Sequence, residues 1–167
     1  PATATASSSG SAGSASAAVD GNLATRWESA FNQDPTTLTL NLGSPFSLNE
    51  VVIYWEAANA ATYEVQGSTD NVTWAALANQ TGGTFGDRTD QVDLSGTYRY
   101  LRIYGVNRTS VYGYSIWEAK VYAFTSGDTQ PPEPPPEITW PAINSAVNSD
   151  VDQEIALILN QMTLDEK

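Results

Sequence analysis

The 167-residue chain contains no cysteine and no histidine. Without cysteine there is neither a disulfide framework nor thiolate chemistry. Without histidine there is no Ser-His-Asp triad, no imidazole base and no His-ligated zinc. A hard cation held by oxygen ligands is the metal chemistry left open. No run of about 18 apolar residues occurs, so nothing reads as a membrane-spanning helix. The N-terminal stretch "PATATASSSGSAGSAS" lacks the basic and apolar regions of a signal peptide, so a secreted parent would have had its signal removed or would carry it outside this sequence. Positive charge is also scarce, with seven Lys and Arg against nineteen Asp and Glu. Up to Phe124, eleven acids face six bases; from Thr125 onward, eight acids face Lys167 alone. An acidic surface without basic clusters repels phosphates and anionic lipid, which argues against nucleic acid and membranes as partners.

What is present reads as β-structure. "TTLTLNL" (36–42) alternates with the period of a half-buried strand, and Gly43 is expected to stop it. "VVIYW" (51–55) is β-branched and aromatic. "TYEVQGSTDNVTWAAL" reads as a hairpin turning at Asp70 and Asn71. "YRYLRIYG" (98–105) and "SIWEAKVYAF" (115–124) alternate again. Leu38, Leu40, Val51, Ile53, Val65, Leu101 and Ile103 are the expected inward residues, with Trp74 packed among them and Trp27 in the core or at the floor of a binding face. Short strands punctuated by Gly, Asn and Asp predict an all-β antiparallel sandwich or barrel.

The composition then shifts. "TSGDTQPPEPPPE" (125–137) favours extended polyproline II and cannot bury a core, so 125–139 reads as a proline-rich linker. Beyond it, Ser149 or Asp150 can cap a helix whose Ile155, Ile158, Leu159 and Met162 share one apolar face. Thr163 to Glu166 is a further capping box. A short helical tail is expected over 140–167.

Several collinear stretches carry a resemblance. "AAVDGNLATRWES" (17–29), "DPTTLTLNLG" (34–43), "VVIYWEAANAATYEVQGSTDNVTW" (51–74), "RYLRIYG" (99–105) and "YGYSIWEAKVYAF" (112–124) are similar to the F5/8 type C, or discoidin-like, domains catalogued in bacteria as carbohydrate-binding module family 32. This implies a discoidin-like jelly-roll β-sandwich over residues 1–124. "WPAINSAVNSDVDQEIALILNQMTLDEK" (140–167) resembles the start of a glycoside hydrolase family 3 enzyme of the exo-β-glucanase and β-glucosidase kind. Together they imply a noncatalytic module, monomeric and secreted, periplasmic or cell-surface, attached to its own catalytic domain. The hydrolase's catalytic residues lie outside this sequence.

Two candidate sites follow. Asp20, Asn22 and Thr25 in "VDGNLATRW" can curl oxygen ligands around one point, although a self-bonded turn at Asp-Gly-Asn is the alternative. The family resemblance implies a structural Ca²⁺ here, held by the carbonyls of Ala17 and Trp117 and the side chains of Asp20, Asn22, Thr25 and Glu118. Sugar recognition needs an aromatic platform, a carboxylate and a donor. The loops that the family uses for sugar contain Trp55, Tyr112, Glu28, Glu56, Asn59 and Arg108, which supply all three kinds. The competing expectation is that Glu56 and Arg108 only pair with each other at the surface. The loop sequences look closest to modules of enzymes acting on β-linked glucan and glucosamine polymers, with laminarin-type β-1,3-glucan preferred and chitosan the alternative. Galactose fits less well, since relatives that bind it use a histidine. A structural buttress that binds no sugar is the competing function. The sequons at Asn71, Asn79 and Asn107 are read as accidental.

Overall fold

The computed structural model describes residues 2–124, and the expected linker and helical tail lie outside them. The elements are β1 (Thr3–Ala6), a 3-10 helix (Ala15–Val19), β2 (Trp27–Glu28), β3 (Thr36–Trp55), β4 (Ala60–Ser68), β5 (Ala75–Gln80), β6 (Arg88–Asp93), β7 (Thr97–Arg108) and β8 (Ser115–Ala123). Every pairing is antiparallel. The all-β class is as the alternation predicts.

Strand β3 organises the domain. Its first half pairs with β1 and β7, and β7 continues to β4 and β5. Its second half pairs with β6 and β8, and β8 with β2. One strand therefore belongs to both layers of the sandwich. The expectation that Gly43 ends a strand is corrected: the chain kinks there and continues. Gly43 has φ +88°, a conformation suited to glycine, and its N–H donates to Asn41 Oδ1 at 2.9 Å. The register slips between Asn41 and Phe46. Such an irregularity lets a strand bend from one layer into the other.

The core lies between the layers. Leu38, Leu40, Val65, Leu101 and Ile103 from one meet Val51, Ile53, Ile116 and Ala119 from the other, as alternation requires. Trp27 is buried among them, its indole N–H donating to Ser8 O at 3.1 Å. Trp74 departs from expectation. It is half-buried outside the core cluster, and the Arg102 guanidinium lies 4.1 Å from its ring centroid, an arrangement of cation on aromatic face.

The predicted hairpin joins β4 to β5. Asp70 Oδ1 accepts the N–H groups of Val72 and Thr73 at 2.9 and 2.8 Å, and Asn71 takes the left-handed conformation at φ 62°. Those amide donors, Thr73 foremost, hold the Asp70 carboxyl down at about 2.

Candidate functional site

Three loops gather at one end of the sandwich and are stitched together by main-chain bonds. The loop after β2 is fastened to the one before β8, since Ser29 N donates to Tyr114 O and Tyr114 N to Ser29 Oγ, both at 2.8 Å. Between them Gly113 is so close that a Cβ there would lie 2.3 Å from Ser29 Oγ and 2.7 Å from Ser29 O. Only glycine allows that approach. The loop after β3 is held from two sides: Glu56 N donates to Ser115 O at 3.0 Å, Ser115 N to Ala58 O at 2.7 Å, and Thr109 N to Asn59 O at 3.0 Å. The turn before β6 joins through Gly86 N to Ala57 O at 3.0 Å.

On this platform Tyr112 is 49 % exposed and Phe31 is 50 % exposed. Their rings meet edge to face, centroids 5.6 Å apart and planes at 77°. Beneath them Arg108 Nε donates to Asp34 Oδ2 at 3.0 Å, and Arg108 Nη1 reaches the carbonyl of Tyr112 at 3.3 Å. The Arg108 contacts thus tie the Tyr112 loop to the Phe31 loop. Asp34 also accepts the hydroxyl of buried Tyr114, whose ionisation is pushed far upward, first by burial and then by that carboxylate.

The six residues expected to touch sugar divide accordingly. Tyr112 stands at the exposed rim. Arg108 is there too, but its partner is Asp34 and not the expected Glu56. Glu56 sits at the loop end with Oε2 accepting Ala58 N at 2.8 Å. Glu28 is nearly buried, and its Oε2 accepts Ala12 N at 3.0 Å. Trp55 and Asn59 are corrections. Trp55 is 1 % exposed and Asn59 0 %, so neither surface is open to a ligand. The reason is a polar network contributed by β6. Trp55 Nε1 and Tyr63 Oη both donate to Asp90 Oδ2 at 2.8 Å, and Arg88 Nε donates to Asp90 Oδ1 at 3.0 Å. Arg88 also reaches Asn59 Oδ1 through Nη1 and Ala60 O through Nη2. Asn59 Nδ2 donates to the carbonyls of Ala57 and Gly86 at 3.1 and 2.7 Å. Both residues shape the loop from within. Phe31 is an exposed aromatic that the sequence reading missed; its signal was a lone aromatic inside a polar turn, "SAFNQDP".

The second candidate site sits where the chain's beginning meets its last strand. Asp20 closes the predicted turn on itself, taking Asn22 N at 2.9 Å and Thr25 Oγ1 at 2.7 Å. Glu118, buried on β8, accepts Gly21 N at 3.1 Å across 97 residues of sequence. Ala17 lies in the 3-10 helix just before this loop, and Trp117 directly precedes Glu118. Burial raises the Glu118 carboxyl, and the nearby Asp20 charge raises it further, against the lowering effect of Gly21 N–H and Lys120. Two carboxylates brought together in a partly dry place, with hydroxyl and amide oxygens alongside, are a donor set that fits a hard divalent cation. Among the described residues no cluster of three or more acidic side chains occurs, so a cation here would complete its shell with neutral oxygens.

Comparison with known proteins agrees with this architecture. The F5/8 type C domain family matches residues 3–119. No match is found among curated protein sequences. Among solved structures, chitosan-binding module 1 of a chitosanase/glucanase from Paenibacillus sp. IK-5 is 41 % identical, with a TM-score of 0.68 over 72 % of this chain and 94 % of that one. Chitosan-binding module 2 of the same enzyme, in complex with chitotriose, is 35 % identical with a TM-score of 0.68 over 72 % and 95 %. A family 32 carbohydrate-binding module from Clostridium perfringens, in complex with galactose, shares the fold at 23 % identity and a TM-score of 0.63 over 72 % and 92 %.

Proposed function

The chain belongs to the F5/8 type C domain family, and from that membership we propose that it is a noncatalytic module whose loop end binds a β-linked saccharide, glucosamine polymers ahead of β-1,3-glucan. The carrying observation is the exposed Phe31–Tyr112 pair set beside the Asp34–Arg108 ion pair. The C–H faces of a sugar ring can lie on such aromatics while its hydroxyls meet the polar groups. The sequence preference for β-1,3-glucan gives way to glucosamine on two grounds. The relatives at 41 % and 35 % identity are chitosan-binding modules. Residues 1–124 also carry eleven acids against six bases, a charge that attracts protonated amines. Affinity in the millimolar to micromolar class, roughly −4 to −8 kcal/mol, suffices for a module that works by proximity.

Affinity electrophoresis of residues 1–124 tests this. Retardation by soluble chitosan, weakening as salt is raised, is expected. Retardation by laminarin alone would return the assignment to β-1,3-glucan. Free migration in both would leave the structural buttress.

Ca²⁺ is part of the same proposal, held by Asp20 and Glu118 with oxygens of Ala17, Asn22, Thr25 and Trp117. Because the folded Glu118 holds its proton more tightly than the unfolded residue, the cation-free domain should lose stability as pH rises from the ordinary glutamate value of 4.5 through the raised folded one. Ca²⁺ should offset that loss at neutral pH, since only the folded chain assembles the ligands. Thermal denaturation should show a melting temperature that rises with Ca²⁺, falls with EDTA, and responds to neither in Glu118→Gln. An EDTA-insensitive wild type would remove the metal. The 140–167 resemblance supports the further reading that the module serves a secreted or periplasmic family 3 hydrolase.

A further inference from the structure

Sharing no lining residue with the Phe31–Tyr112 rim, the outer side of the β3–β6–β8 layer carries a cleft of about 280 Å³. Tyr54, Thr89 and Trp117 contribute to it from β3, β6 and β8, Asp87 from the turn before β6, and Leu23 from the Asp20–Thr25 loop, while Trp55 and Arg88, both bonded to Asp90, complete the wall. Its size is just below the roughly 300–1,000 Å³ of pockets that hold drug-sized ligands, which suits a single sugar ring. Leu23 is 52 % exposed and forms an apolar rim, while Tyr54 and Trp117 are half-buried beneath it.

What separates this cleft from an ordinary sheet surface is the state of its polar groups. At the loop end, Arg108 and Asp34 are engaged with each other. In the cleft, the Asp87 carboxylate, the Thr89 hydroxyl, the Tyr54 hydroxyl and the Trp117 indole N–H form no hydrogen bond or ion pair among the described residues. A cation meanwhile lies over one face of each of two rings. Arg26 lies 5.2 Å from the Trp117 ring centroid and Lys120 lies 5.1 Å from that of Tyr54, contacts that limit ring motion. Aromatic surface, an uncommitted carboxylate and uncommitted donors inside one concavity are the chemistry that holds a saccharide, with apolar C–H faces on the rings and hydroxyls on the rim.

The geometry points to a second saccharide site in this cleft, distinct from the Phe31–Tyr112 rim, with Trp117 as platform and Asp87 as hydroxyl or amine acceptor. The ligand class rests on the carbohydrate reading above; the location does not. Two sites on one module would let it engage two stretches of a polymer, and the second engagement would then be intramolecular.

The test is an ¹⁵N-resolved NMR titration of residues 1–124 with chitotriose, and separately with laminaritriose. The Trp117 indole N–H reports on the cleft and the Val111 and Tyr112 amides on the loop end. Saturable shifts of the Trp117 indole, kept in Tyr112→Ala and reduced at least tenfold in affinity by Asp87→Ala, are expected. Asp87 is exposed and has no hydrogen-bond or ion-pair partner among the described residues, so its replacement leaves the fold intact. Shifts confined to Val111 and Tyr112 would overturn the second site and leave the loop site standing. Shifts confined to Trp117 would do the reverse, and a silent titration with both sugars would overturn both.

Discussion

Asp90→Ala is expected to lower the unfolding free energy by about 3 kcal/mol. That carboxylate is the acceptor for the Trp55 indole N–H and the Tyr63 hydroxyl, and both residues are almost wholly buried. Its removal leaves two interior donors unmatched, at roughly 1–3 kcal/mol each, and strips Arg88 of its counter-charge. The sum is moderated because Asp90 lines a cleft of about 180 Å³ through which water can reach the vacated space. For a domain of this size the loss corresponds to a melting temperature lower by about 10 °C. Asp90→Asn, which keeps one acceptor, should cost less. The loop after β3 should loosen with it, since Arg88 holds Asn59 and Ala60 O. Denaturation curves settle the matter, and an alanine variant within 1 °C of wild type would show that the network contributes nothing net.

Tyr112→Ala is expected to weaken saccharide binding about ten- to a hundredfold, or roughly 1–3 kcal/mol, the scale of losing one aromatic contact and its burial. Its ring is half exposed and, among the described residues, Phe31 is its one aromatic ring contact, so the folded state should tolerate the change with little shift in melting temperature. Phe31→Ala should weaken binding by a similar amount. Trp55→Ala makes an informative contrast. It should unfold the domain or lower its stability sharply, and any loss of binding would follow from that. Full affinity in a folded Tyr112→Ala, Phe31→Ala double variant would move the sugar off this end.

The contrast between Tyr112 and Trp55 shows what a linear reading can and cannot recover. Both are aromatics at the edge of a predicted strand. The inward positions of β3, β4 and β7 were legible because alternation is a local property, decided by which residues share a face. Strand β6 was not: "RTDQVD" offers Val92 alone as a buried hydrophobe, and β1, "TATA", has no large side chain to betray it. The fate of Trp55 depends on β6, because an indole N–H can be buried only where an acceptor meets it, and Asp90 is 35 residues away. Asn59 was misassigned for the same reason, its partners lying on Arg88 and Gly86. The Asp20 turn was readable from its own six residues, Asp20 to Thr25. Its proximity to Glu118 came only from the family resemblance, since 97 residues separate it from the Gly21 contact.

Strand β8 runs from the proposed binding rim to the opposite end of the domain. It begins at Ser115, three residues after Tyr112, and past it Phe124 N donates to Ser47 O at 2.9 Å. Along its length it is hydrogen-bonded to β3 from Trp55 back to Leu48. A pull on the chain from beyond Phe124, against a domain held through its other strands, would therefore load β8 along its length against β3, in shear. The rungs of an antiparallel ladder loaded this way share the tension and must fail together, whereas rungs loaded from one edge open in succession. For a protein anchored to a solid or flowing polysaccharide, grip under drag would then be set by the rate at which β8 slides past β3, a kinetic property distinct from the affinity of the site.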